Sequence, residues 1–165
     1  MKYFFSFFVF LFSYVLIYSQ DSCEFNFIKD TIRIPKENKV VDGDYLIATL
    51  KNGSTVQLVK TSTNKFYLRI ESSENLYFGK TDVLEIKSGT KSFFAKETTN
   101  FGLTKYRGYY VIEVFKNYIG TLKEDGITGF VFGKAVTVFT KQDCSQIKKM
   151  SNYFYESFCT KNNKK

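Results

Sequence analysis

The side chains that could carry chemistry in this sequence are carboxylates, lysines and three cysteines, because its 165 residues include no histidine. Without histidine, Ser-His-Asp and Cys-His nucleophile arrangements lack their usual general base. Histidine-ligated zinc and iron sites are excluded too, and three cysteines fall short of a four-cysteine site. An enzyme using carboxylates or lysine remains the one catalytic alternative. Its candidate acid pairs are Glu71 with Glu74 and Glu124 with Asp125.

Short motifs with a chemical meaning are incomplete in this chain. Gly79–Thr81 is similar to the end of a phosphate-binding loop, but Glu74 stands where that loop needs its first glycine. Ser88–Lys91 and Ser145–Lys148 both spell S-x-x-K, without the partner motifs of penicillin-binding enzymes. Asp42–Asp44 lacks the rest of a calcium loop, which favours a plain turn before the first strand. We therefore expect no catalytic residue, no cofactor and no metal.

Residues 1–19 are predicted to form a secretory signal peptide. Lys2 supplies the basic start, Tyr3–Ile17 is apolar apart from two serines, and Asp21 is the first acidic residue. We expect cleavage after Ser19, a small residue before the polar mature end. The protein would then be exported to the periplasm, the cell surface or the extracellular space. The alternative is a single-pass N-terminal anchor, since about 17 apolar residues are near the lower limit for spanning a bilayer.

Export would allow a disulfide among Cys23, Cys144 and Cys159. Cys144 and Cys159 fall on one predicted helix, which separates them by roughly 22 Å at about 1.5 Å per residue. A disulfide requires Cα atoms within about 7 Å, so this pair is excluded if the helix is continuous. Cys23 then pairs with Cys159, with Cys144 or with neither. We favour Cys23 with Cys159, which leaves Cys144 as a free thiol on the apolar face of the helix.

Alternating apolar and polar residues predict one α+β domain over residues 20–160, followed by a basic tail at 161–165. The β-structure is predicted to begin at Asp44, after a mixed lead-in over residues 21–43. Asn52-Gly53 predicts a two-residue hairpin turn. Residues 117–125 predict a short inserted helix, with Gly126 as its C-terminal stop. We expect a mainly antiparallel β-sheet with this helix and a C-terminal helix packed on one face.

The C-terminal helix has the clearest local signals. Thr140 as N-cap with Asp143 three residues later is close to a capping box. Apolar residues then recur at helical spacing and predict a stripe that docks on the sheet; they are Cys144, Ile147, Met150, Phe154 and Phe158. In the strand Phe66–Glu71, by contrast, strict alternation predicts one buried face and one face open to water.

Tyrosines on the expected open face, together with nearby lysines, are the first candidates for a contact surface. The candidate contact residues are Tyr67, Tyr77, Tyr109, Lys65, Lys80 and Lys105. The alternative is that these tyrosines pack on the sheet. Of the 24 basic residues only Arg33, Arg69 and Arg107 are arginines. A lysine-rich surface suits an anionic envelope or extracellular partner, and specific nucleic-acid readout is not expected.

Three phrases, SGTKSFF (88–94), NYIGTLKEDGITGF (117–130) and FTKQD (139–143), resemble small exported bacterial proteins of unknown function. The resemblance covers about residues 80–158 and implies export and a compact α+β domain, with no activity. The leading hypothesis is a non-catalytic binding or structural module of the cell envelope or extracellular space. The alternatives are a membrane-tethered accessory protein with an uncleaved N-terminal helix and the histidine-independent enzyme.

Overall fold

The computed structural model describes residues 25–34, 37–71, 73, 84–95, 101–103, 108–132 and 135–160. The predicted signal peptide (1–19) and the basic tail (161–165) lie outside the described residues. The strands are β1 Ile28–Ile34, β2 Lys39–Thr49, β3 Thr55–Thr61, β4 Phe66–Glu71, β5 Leu84–Ser88, β6 Lys91–Ala95, β7 Phe101–Leu103, β8 Gly108–Val114, β9 Gly129–Phe132 and β10 Ala135–Val138. The helices are α1 Lys116–Asp125 and α2 Lys141–Phe158.

The described strands form two antiparallel sheets, with the orders β1-β2-β3-β4-β8-β7 and β10-β9-β5-β6. Every strand pairing is antiparallel. The predicted α+β class, with a short inserted helix and a C-terminal helix, is confirmed. The prediction that β-structure begins at Asp44 is wrong: β2 begins five residues earlier, and β1 pairs with it from Ile28. The alternation in β1 is interrupted because Asp30 stands in phase with Ile28, Ile32 and Ile34.

One large apolar core joins the two sheets and both helices. It takes alternate residues of β2, β3 and β4, the inner residues of β5 and β9, and one side of each helix. The helix residues buried in this core are Ile119, Leu122, Ile147, Met150 and Phe154. The predicted stripe of α2 therefore docks on the sheet as expected, and α1 packs against α2.

Local turn and cap signals are confirmed with one change. The β2–β3 connection has three loop residues, because Leu50 N–H bonds to the Ser54 carbonyl at 2.8 Å. Gly53 takes φ +81° in this loop, whereas Asn52 is not in the left-handed region, so the predicted two-residue turn is wrong. Gly126 ends α1 at φ +69°, as predicted. Thr140 and Asp143 form the complete capping box of α2.

The second face of the six-stranded sheet is not open to water as expected. Side chains from β1, β2, β3, β4 and β8 form a second, smaller core there. Its members are Ile32, Ile34, Val41, Tyr45, Val59, Tyr67, Tyr109 and Val111, with Ile47 packed against them. The predicted alternation of β4 is confirmed, but the prediction that its second face is open to water is wrong. A tyrosine can line a buried face as well as an exposed one.

Candidate functional site

The predicted contact surface does not form one exposed patch among the described residues. Tyr67 is 2% exposed and Tyr109 is 7% exposed, so both rings belong to the second core. This placement agrees with the alternative that the tyrosines pack on the sheet. Lys65 is exposed, and its ammonium lies 3.3 Å from Glu113 and 3.5 Å from Glu37. Tyr77, Lys80 and Lys105 lie outside the described residues.

Arg69 anchors the polar edge of the second core. Its guanidinium lies 4.2 Å from the centre of the Tyr109 ring and donates to the Glu71 carboxylate at 3.0 Å. Burial raises the pKa of the nearby Tyr45 hydroxyl well above its ordinary value, against an opposing effect of the Arg69 charge. Burial also raises the pKa of Tyr67. Both hydroxyls therefore stay neutral at physiological pH, which suits a packed core and not a nucleophile.

Of the two candidate acid pairs, only Glu124 with Asp125 lies wholly within the described residues. Glu71 is already paired with Arg69, and Glu74 lies outside the described residues. Glu124 and Asp125 stand exposed at the end of α1. Within the described part of the chain, no group of three or more cysteines and carboxylates is placed to hold a metal ion. The candidate acid pairs therefore gain no support as a catalytic site from the described residues.

The best candidate for a binding site is an open groove of about 450 Å³ across β1, β2 and β3. We call it the β1–β3 groove. Its lining residues are Lys29, Asp30, Thr31, Asp42, Gly43, Asp44, Lys60, Thr61 and Ser62. The prediction of a plain turn at Asp42–Asp44 is wrong, since all three residues belong to β2. The sequence signal for this was that Asp42 and Asp44 alternate in phase with Leu46 and Ala48, which extends the same strand toward its N-terminus.

Strand register explains how these residues make a groove. Three cross-strand rows meet here: Lys29 with Asp44 and Lys60, Asp30 with Gly43 and Thr61, and Thr31 with Asp42, which Ser62 adjoins. Successive residues of a strand point to opposite faces. The first and third rows therefore project on the face that carries Leu46 and Leu58. The backbone of the middle row forms the floor between them.

Helix α2 ends beside the β1–β3 groove. The Lys60 ammonium lies 5.2 Å from the centre of the Phe158 ring, in the last turn of α2. The Phe27 ring, just before β1, contacts the same Phe158 ring at 4.9 Å between centroids. The helix thus covers the apolar part of this face and leaves its polar end open. That is why the groove lies at this end of the sheet.

The β1–β3 groove combines the carboxylates of Asp42 and Asp44 with the ammonium groups of Lys29 and Lys60, in a chain of net charge +8. Among the described residues, no hydrogen bond or ion pair engages the carboxylate of Asp42 or of Asp44. Carboxylates only accept hydrogen bonds and ammonium groups only donate them, whereas the hydroxyls of Thr31 and Ser62 do both. A ligand that fits this lining must offer donors and acceptors side by side.

The two cysteines that the structure describes, Cys144 and Cys159, carry free thiols, so the Cys23–Cys159 disulfide is absent from this structure. Burial raises the pKa of both thiols, which makes them poor nucleophiles at neutral pH. Cys23 lies outside the described residues. Phe25, two residues after it, packs on the same core as Cys159. The pairing of Cys23 with Cys159 therefore stays a prediction.

We predict that the protein isolated from its native cells has one reactive thiol before reduction and three after it. Intact mass with thiol labelling under denaturing conditions measures this count. In Cys144→Ser no thiol should react before reduction, because the two remaining cysteines, Cys23 and Cys159, form the predicted disulfide. Three labels before reduction would contradict the disulfide. The same mass would also show whether the first 19 residues are removed.

Comparisons with known proteins add no assignment. Within the described residues, no helix has the length and apolar character needed to cross a bilayer. The chain matches no protein-family model, no curated protein and no solved structure. Its function must therefore be argued from the β1–β3 groove and from the remaining surface.

Proposed function

We propose that the protein is an exported, non-catalytic binding module whose ligand occupies the β1–β3 groove. The observation that carries the proposal is the pair of Asp42 and Asp44 carboxylates facing this groove, without a partner among the described residues. Export is inferred from the apolar N-terminal segment with its basic start. The periplasm, the cell surface or the extracellular space would then be its place of action.

The chemistry of the lining favours a ligand rich in hydroxyl groups, which is the chemistry of envelope saccharides. Each hydroxyl can donate to Asp42 or Asp44 and also accept from Lys29 or Lys60. A purely anionic ligand would be repelled by the carboxylates of the groove, and a purely cationic ligand would be repelled by its lysines. An anionic partner, as the lysine-rich composition suggests, would have to use another surface.

The retained-anchor alternative concerns the N-terminus and is compatible with the same groove. A membrane-tethered protein would present the β1–β3 groove next to the bilayer, and intact mass distinguishes the two forms. The histidine-independent enzyme has weaker support, because its candidate acids are ion-paired, exposed at a helix end or outside the described residues.

The test is titration of the protein with three tetrasaccharides, chitotetraose, maltotetraose and cellotetraose. Calorimetry or saturation-transfer NMR measures the binding. We expect at least one probe to bind. Asp44→Asn should weaken that binding roughly ten- to a hundredfold, because a hydrogen bond to a charged group contributes about 1.5–3 kcal/mol. The neutral amide keeps the size of the side chain, so the fold should be unaffected.

Glu124→Gln is the matched control, since it removes an exposed carboxylate at the end of α1, outside the groove. It should bind the probe with the affinity of the unmodified protein. If no probe binds, or if Asp44→Asn binds as tightly as the control, the saccharide assignment of the groove is wrong.

A further inference from the structure

Strand β10 is an edge strand with an unprotected, apolar exposed side. It occupies one end of the four-stranded sheet, and no described strand pairs with its outer edge. Its four residues, Ala-Val-Thr-Val, carry no charge. Val136 is 62% exposed and Val138 is 79% exposed, although valine is usually buried in a strand. A free edge of this kind is a template for pairing with another chain.

Two other sheet edges are protected in the usual way. Strand β1 carries Lys29, Asp30 and Arg33, and β6 begins with Lys91. Charged side chains on an edge strand disfavour pairing with another chain, because pairing would bury or crowd them. The lack of charge therefore distinguishes β10 from β1 and β6, although the three-residue edge strand β7 carries no charge either.

The outer face of this sheet extends the apolar character beyond β10. Register places Val136 beside Val131, then Glu85, then the exposed Phe94 of β6. Glu85 accepts a hydrogen bond from the Ser92 hydroxyl at 2.6 Å, so its charge is partly engaged within the sheet. A strand added beside β10 would place alternate side chains in line with this row.

The charges around β10 are basic. Lys134 precedes the strand in the sequence, and the exposed Lys141 follows it at the start of α2. The row of Val138 continues through Gly129 to the exposed Lys87. In a pair of two β10 strands, the exposed Lys87 and Lys141 of each copy would be brought toward those of the other copy, and like charges repel. Charge therefore favours a partner strand with acidic ends over a second copy of this chain.

We propose that the outer edge of β10 binds an extended peptide segment of a partner protein, with apolar residues at alternate positions and acidic residues at its ends. Backbone hydrogen bonds to the free edge provide the pairing, as in other complexes formed by strand addition. The alternate apolar side chains contact Val136 and Val138, and the acidic ends of the peptide are attracted by the exposed Lys141 and Lys87. This surface is separate from the β1–β3 groove, which lies on the other sheet.

The test uses the natural protein and a labelled seven-residue peptide, Glu-Val-Thr-Val-Thr-Val-Glu, in fluorescence anisotropy and in two-dimensional NMR. We expect saturable binding that weakens with added salt and that shifts and protects the backbone amides of Val136 and Val138. Val138→Asp should weaken binding at least tenfold, because it removes an apolar contact and repels the acidic end of the peptide.

Val40→Asp is the matched control, because Val40 is also an exposed strand valine but lies in β2 of the other sheet. It should leave the peptide affinity unchanged, and circular dichroism should show both variants folded. Three outcomes would overturn the proposal: no change at the β10 amides, equal binding of a peptide with lysine ends, or a concentration-dependent dimer that already occupies this edge.

Discussion

Phe154→Ala is expected to lower the free energy of unfolding by about 3–5 kcal/mol, the usual cost of removing a buried phenylalanine ring. Phe154 is 0% exposed at the centre of the main core. Its ring meets Phe66 edge-on at 5.9 Å and Phe158 at 5.0 Å between centroids. It therefore joins α2 to the six-stranded sheet, and its loss leaves a cavity that the surrounding rings cannot close.

Chemical denaturation with circular dichroism measures this change, and the midpoint of thermal unfolding should fall by about 6–20 °C. Phe115→Ala is the matched control, because Phe115 precedes α1 and is 72% exposed. That variant should change the free energy of unfolding by less than about 0.5 kcal/mol, as exposed positions usually do. Equal losses in the two variants would show that α2 does not pack through Phe154.

Asp143→Asn is expected to lower the free energy of unfolding by about 1.5–3 kcal/mol, since hydrogen bonds to a charged group contribute about that amount. The buried Asp143 carboxylate accepts from the Thr140 hydroxyl at 2.6 Å and from Thr140 N–H at 3.1 Å. It also accepts from Lys51 N–H at 2.9 Å. One side chain thus caps α2 and fixes the β2–β3 loop.

The stabilisation by the Asp143 carboxylate should decrease as the pH falls. Burial raises the pKa of Asp143, but the hydrogen bonds from Thr140 and Lys51 outweigh it and hold this pKa below the ordinary value of 3.8. A carboxyl with a lowered pKa in the folded state stabilises fully above its unfolded pKa, and the gain is lost as pH falls through the folded pKa. The stability difference between the unmodified protein and Asp143→Asn should therefore be full above about pH 4 and shrink below it.

Thr140→Ala separates the two roles of Asp143. It removes the capping hydroxyl, which usually costs about 1 kcal/mol, but it leaves the bond to Lys51 in place. Hydrogen exchange at the Lys51 amide should therefore accelerate in Asp143→Ala, which removes both carboxylate oxygens, and stay slow in Thr140→Ala. Equal exchange at Lys51 in the two variants would contradict a direct tie between α2 and the loop.

Local signals in the sequence were sufficient for α2 and for the end of α1. The capping box needs only Thr140 and Asp143, three residues apart, and the apolar stripe needs only helical spacing. Gly126 ends α1 for a similarly local reason, since glycine takes a positive φ without a steric cost. The α+β class followed from these helices together with the alternating strands between them.

Only the tertiary structure decided what each strand face meets. Tyr67 and Tyr109 alternate with core residues whether their face of the sheet is open or buried. The pairing of β4 with β8 and the packing of residues from β1 and β2 bury both rings. The β1–β3 groove depends in the same way on register, which sets Asp44 between Lys29 and Lys60. The bond from Lys51 to Asp143 joins residues 92 positions apart. Spacing along a chain fixes which side chains share a face, but only the pairing of distant strands fixes their neighbours.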